Sequence, residues 1–143
     1  MLRLRLRAED GFSLVELLVA ILILGILLAV ALPQLLGQRT KAQDAHAKAA
    51  ATTAAKAATA YGTDGTGFDD VAPAELIKIE KSLARARNLQ AEGSRKTFTV
   101  SADSVAGTTY SIARAADGEL TRDCVPAGSG SCRASADARG NRW

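Results

Sequence analysis

The chain has one histidine, two cysteines and three prolines in 143 residues, and aromatics make up only 4% of it. One imidazole and two thiols leave little material for a metal site, and no metal or cofactor is expected. A Ser/His/Asp or Cys/His catalytic set would have to use His46, the single histidine, which stands among Ala and Lys without a second His or Cys at ligand spacing. An enzyme is therefore not indicated, and His46 reads as a surface residue. Charge is also sparse in excess: 18 Lys and Arg against 15 Asp and Glu give a formal +3. The basic residues are scattered, so no nucleic-acid footprint is implied. The length suits one modest domain and argues against a large multi-domain enzyme. The most informative absence is local, since no charged side chain occurs between Glu16 and Arg39.

What fills that gap is an apolar run over residues 12–32, which as a helix is about 31 Å long, close to the hydrocarbon thickness of a bilayer. It can span a membrane once. Arg3, Arg5 and Arg7 precede it, against Glu9 and Asp10, and favour a cytoplasmic N-terminus, although Arg39 and Lys41 on the far side oppose this. A basic segment before an apolar one also describes an ordinary secretory signal, and Ala29-Val30-Ala31 supplies an A-x-A cleavage site. Against that stands Glu16, an acid inside the apolar run, where an ionised carboxylate costs about 2.5 to 3.5 kcal/mol on insertion scales. Ser13 and Glu16 have the S-x-x-E spacing of a capping box, which can coexist with a role in pairing a cation.

Gly11-Phe12-Ser13-Leu14-Val15-Glu16, followed by an unbroken apolar helix carrying Gly25 and Pro33, resembles the N-terminal signature of type IV pilins and pseudopilins. The resemblance covers residues 5–45. It implies that a prepilin peptidase cuts between Gly11 and Phe12 and methylates the new amine, so that the leader leaves and the helix stays. The amine of one subunit then pairs with Glu16 of a neighbour in the filament core. It further implies a bend at Pro33 with local extension near Gly25, a homopolymer joined by minor pilins, and an inner-membrane assembly platform with its ATPase as partners. The expected localisation is a single-pass inner-membrane protein, N-terminus cytoplasmic, which later enters a filament at the cell surface or in the envelope.

Beyond Pro33 the Ala-rich sequence has high helix propensity up to the breakers Gly62 and Gly65, predicting one helix over residues 13–61. Ala42, Ala45, Ala49 and Tyr61 are read as a stripe that admits a sheet closely, the alternative being an Ala-rich stalk with no packing partner. Residues 62–72 form a turn-rich link. Its acids Asp64, Asp69 and Asp70 lack EF-hand spacing and read as a solvated loop rather than a calcium site. A short helix is predicted over residues 73–83, with Leu76, Ile77, Ile79 and Leu83 on one face.

Alternation predicts strands over residues 97–102, 108–113 and 119–125, with Phe98, Val100, Tyr110 and Ile112 facing inward. Asp117-Gly118 marks a hairpin, and residues 88–91 are a candidate fourth strand. The fold class is thus α+β, a long N-terminal helix packed in its second half against a small antiparallel sheet of three or four strands. Cys124 and Cys132 flank a flexible segment and are either two thiols or, outside the membrane, a disulfide worth about 2.5 kcal/mol. The disulfide also resembles the closed C-terminal loop of many pilins. The tail, with Arg133, Arg139, Arg142 and Trp143, reads as polar and mobile.

The expected organisation is a leader (1–11), a membrane and assembly helix (12–33), its Ala-rich continuation (34–62), a C-terminal domain (63–132) and the tail (133–143). The leading functional reading is a structural pilin. A pseudopilin of a secretion or DNA-uptake machine is the alternative within the class, and a secreted binding domain released after Ala31 is the rival from another class.

Overall fold

The computed structural model describes residues 11–63, 65 and 67–143. The expected leader, apart from Gly11, and Asp64 of the acidic loop lie outside the described residues. The order of elements is α1 (Leu14–Gly62), α2 (Pro73–Ile79), a 3-10 turn (Lys81–Arg85), and strands β1 (Gln90–Ser94), β2 (Thr97–Asp103), β3 (Thr109–Arg114) and β4 (Leu120–Val125). The chain divides into two compact units, Met1–Leu36 and Gly37–Trp143.

In the second unit the four strands form an antiparallel meander in the order β1-β2-β3-β4. Val100 pairs with Ile112 and Ala102 with Tyr110, so the large side chains of β2 and β3 fall on one face. That face closes on the Ala-rich half of α1 to give an α+β core of Phe98, Val100, Tyr110 and Ile112 against Ala47, Ala51, Ala54 and Ala58. The helix has a packing partner and is no bare stalk. Phe68 adds an edge-to-face contact with Phe98 at 5.0 Å between ring centres.

Of the stripe expected, Tyr61 packs half-buried against the core, and the rest of the buried face differs. Ala42, Ala45 and Ala49 are exposed, whereas Asp44, Ala47, Ala51, Ala54, Ala55, Ala57 and Ala58 are buried. Alanines surround this helix, so composition permits several faces. The phase is fixed by Asp44 and by where the large residues of the sheet meet the helix.

Three other expectations are adjusted. The helix expected over residues 73–83 breaks at Glu80, whose backbone is extended and whose carboxylate accepts the Ser82 N–H and starts the 3-10 turn. Leu76 and Leu83 are buried as expected, but Ile79 faces solvent. The candidate first strand is real and lies at Gln90–Ser94. Its alternation was hidden because the inward positions are Ala91 and Gly93, and a Cβ at Gly93 would collide with the Phe68 carbonyl. The hairpin at Asp117-Gly118 forms as predicted, with Gly118 in the left-handed region at φ 94°.

Cys124 and Cys132 form a disulfide, and both are buried. Residues 133–143, read from composition as a mobile tail, fold back along β4. Arg142 N–H donates to the Arg122 carbonyl at 2.8 Å, Arg122 N–H donates to Asn141 Oδ1 at 2.9 Å, and Arg133 N–H donates to the Arg142 carbonyl at 3.0 Å. Trp143 then donates from Nε1 to the Asp123 carbonyl at 2.7 Å and meets Tyr110 edge to face. The unpaired edge of β4 is thereby covered.

Candidate functional site

In the first unit Gly11, Phe12 and Ser13 precede α1, and Ser13 occupies the N-cap position with its carbonyl accepting the Leu17 N–H at 3.1 Å. Glu16 lies in the first helical turn, exposed, where a carboxylate also complements the helix dipole. Phe12 is 76% exposed, and the large apolar residues from Leu14 to Leu36 are all exposed as well. A helix apolar on every side is the pattern of a membrane span or of a segment buried among other helices. This helix is long and apolar enough to cross a membrane.

Gly25 leaves open space where a Cβ would stand, and Leu18, Ile21, Leu22, Ile26 and Ala29 line a shallow apolar furrow around it. The furrow follows helical spacing, so the missing side chain is a notch in one face of the helix. Pro33 is accommodated within α1, where its ring removes the N–H that would bond to Ala29. Phe12, just ahead of the helix, and Glu16, in its first turn, lie on the same chain. The Phe12 nitrogen is here a peptide nitrogen joined to Gly11, so within one uncut chain it is no charge partner for Glu16.

In the second unit the structure assembles a group of residues that sequence reasoning did not single out. Asp44 and Lys48, one helical turn apart on α1, grip the peptide of Ser131 in the disulfide loop. Asp44 Oδ2 accepts the Ser131 N–H at 2.8 Å, and Lys48 Nζ donates to the Ser131 carbonyl at 3.3 Å. The Lys48 ammonium also lies over the rings of Tyr110, 5.1 Å away, and Trp143, 5.9 Å away. Disulfide loop, tail and helix therefore meet at one clamp. The signal for it was present: Asp44 is the lone acid in helical phase with Ala47, Ala51, Ala54 and Ala58.

Burial of Asp44 pushes its carboxyl up, but the neighbouring hydroxyls of Ser104 and Tyr110 and the hydrogen bond from Ser131 N–H outweigh this and hold it below its ordinary 3.8. The same burial, reinforced by the neighbouring Asp44, pushes the Tyr110 hydroxyl up to about 12. A carboxyl with a depressed folded pKa contributes stability above its unfolded pKa and loses it as pH falls through the folded value. Thermal stability is therefore expected to drop as pH falls below about 4, and Asp44→Asn should flatten that acid limb in melting curves taken across pH.

Close approach at the clamp also explains Gly130. Its φ is 56°, and a Cβ there would strike Asp44 Oδ2. Gly130→Ala is expected to cost about 2 to 3 kcal/mol, from left-handed strain plus the loss of the charged hydrogen bond, as read by thermal unfolding of the full chain.

Asp69 and Asp70 are exposed, and among the described residues no group of His, Cys, Asp and Glu is suited to hold a metal ion. His46 is exposed, as expected.

Residues 6–32 match the family model described as the prokaryotic N-terminal methylation motif. The chain carries the class III signal of type IV pilins and pseudopilins. No curated protein and no solved structure matches the chain. The matched residues include Gly11, Phe12, Glu16 and Gly25, and they end just before Pro33.

Proposed function

We propose that the chain is a structural pilin, the repeating subunit of a type IV pilus-like filament. Prepilin peptidase cuts it between Gly11 and Phe12, Phe12 is N-methylated, and the subunit polymerises through α1. The observation that carries this reading is the methylation motif over residues 6–32, set on an apolar helix that holds a single acid, Glu16.

The chemistry is self-consistent. Cutting before Phe12 turns a neutral peptide nitrogen into an α-amino cation, and it does so at the start of the segment that contains Glu16. Between parallel helices staggered along a filament, that amine of one copy meets the carboxylate of another, and each buried charge gains a partner. The exposed apolar side chains of residues 14–36 lie in the bilayer before assembly and against one another afterwards. Gly25 and Pro33 weaken the turns between them by about 1 and 3 kcal/mol relative to Ala, which supports a bend and local extension there on assembly.

Before assembly the protein is held by one span with its N-terminus in the cytoplasm, where the peptidase, the assembly platform and its ATPase act on it. Filaments sheared from cells and separated by electrophoresis test the reading. This polypeptide is expected as their principal component, and filaments of normal abundance lacking it would overturn the proposal.

A further inference from the structure

A groove of about 400 Å³ opens on the second unit between α1, the 3-10 turn and the connection from β2 to β3. Its apolar lining includes the buried Ala47 and Leu83 together with Ala50, and Val105 is exposed at its edge. Its rim carries two guanidinium groups, Arg85 and Arg87, both exposed and without an ion pair among the described residues. The one acid of the rim, Asp103, is already engaged, accepting from Asn88 Nδ2 at 2.9 Å and from Thr109 Oγ1 at 2.6 Å. Those donors are neutral and leave the carboxylate charged, so the groove carries two guanidinium groups against one carboxylate, a net positive rim beside apolar side chains, which suits a short acidic segment.

Such a segment stands on the same unit. Val71 N–H donates to the Phe68 carbonyl at 3.2 Å, closing a turn whose central residues are Asp69 and Asp70. Phe68 and Val71 are buried and anchor the turn, while both aspartates are exposed and form no ion pair among the described residues. Phe68 lies against Gly62 at the end of α1 and against Gly93 of the edge strand β1, whereas the groove lies beside α1 at Ala47 and Ala50 and just before the start of β1. From Ala50 to Gly62 the helix rises about 18 Å. Groove and acidic turn thus mark opposite ends of one side of the unit, and one copy cannot satisfy its own groove.

We propose that the Arg85–Arg87 groove receives the Asp69–Asp70 turn of a second copy displaced along the helix axis. The contact joins two different patches, so it is heterologous and repeats without closing, as a filament requires. It rests on the polymer reading above and adds to it a contact that sets the axial register.

The test is a charge exchange in the full-length chain, with sheared filament yield as the readout and melting of the detergent-extracted chain as the check on folding. Arg85→Glu with Arg87→Glu is expected to lower yield about tenfold or more at unchanged melting, and Asp69→Lys with Asp70→Lys to do the same. All four changes together should restore yield to within about twofold of the native chain. Arg95→Glu with Lys96→Glu, in the neighbouring hairpin turn, should have no such effect. The proposal is overturned if the groove reversal leaves yield unchanged, if the combined variant stays as poor as the single reversals, or if the hairpin control loses as much. In each case filaments of the native chain keep the polymer reading standing. A native chain that forms none would overturn both.

Discussion

Glu16→Ala is expected to abolish filaments while raising the amount of subunit held in the membrane. The two effects have opposite signs because the carboxylate plays opposite parts in the two states. In the bilayer a lone ionised acid costs about 2.5 to 3.5 kcal/mol, so removing it eases insertion. In the proposed filament the same carboxylate neutralises the amine of a neighbouring Phe12. Deleting one member of a buried pair typically costs about 3 to 5 kcal/mol, or two orders of magnitude or more in the assembly equilibrium. Folding of the Gly37–Trp143 unit should not change, since Glu16 lies in the other unit. Filament yield, membrane-held subunit and melting temperature measured on one set of cells separate these effects. A general defect in folding would lower all three.

Tyr110→Ala is expected to cost the second unit about 3 to 5 kcal/mol and to lower its melting temperature by more than about 10 °C. Tyr110 is the largest fully buried side chain of the unit, and it touches each part that converges at the clamp. Its ring meets Trp143 at 5.6 Å and Lys48 at 5.1 Å, and its hydroxyl faces Asp44. Truncation opens a cavity in a core whose helix side is mostly alanine, so little neighbouring bulk is available to fill it. Tyr110→Phe keeps the ring and removes a buried hydroxyl that makes no hydrogen bond, so it should change stability by less than about 1 kcal/mol, which isolates the hydroxyl from the packing. Circular dichroism melts of the two variants beside the native chain give both numbers.

The two units differed in how legible they were. A stretch from Leu17 to Gln38 without a single charge admits few readings, and Glu16 inside its border narrowed them further. The sheet was legible where Phe98, Val100, Tyr110 and Ile112 alternate with small polar residues. It was not legible at β1, whose inward positions are Ala91 and Gly93 and give hydropathy nothing to alternate. The phase of the Ala-rich helix was hidden for a related reason, because methyl groups on every side make all faces look alike. The charged residues of the helix did not reveal the phase, because Asp44 lies on the buried face and a charged residue is ordinarily assigned to solvent. The ordered tail escaped because its polar composition describes a solvated chain. Its position comes from backbone pairing with Arg122 and from Trp143, contacts that depend on a β4 edge already in place.

Mass spectrometry of the N-terminal peptide from purified filaments bears most directly on the central claim that cleavage creates the charge which Glu16 needs. A chain beginning at Phe12 and heavier by one methyl group is the predicted result. A chain that retains the leader, or one that begins at Leu32, would contradict it.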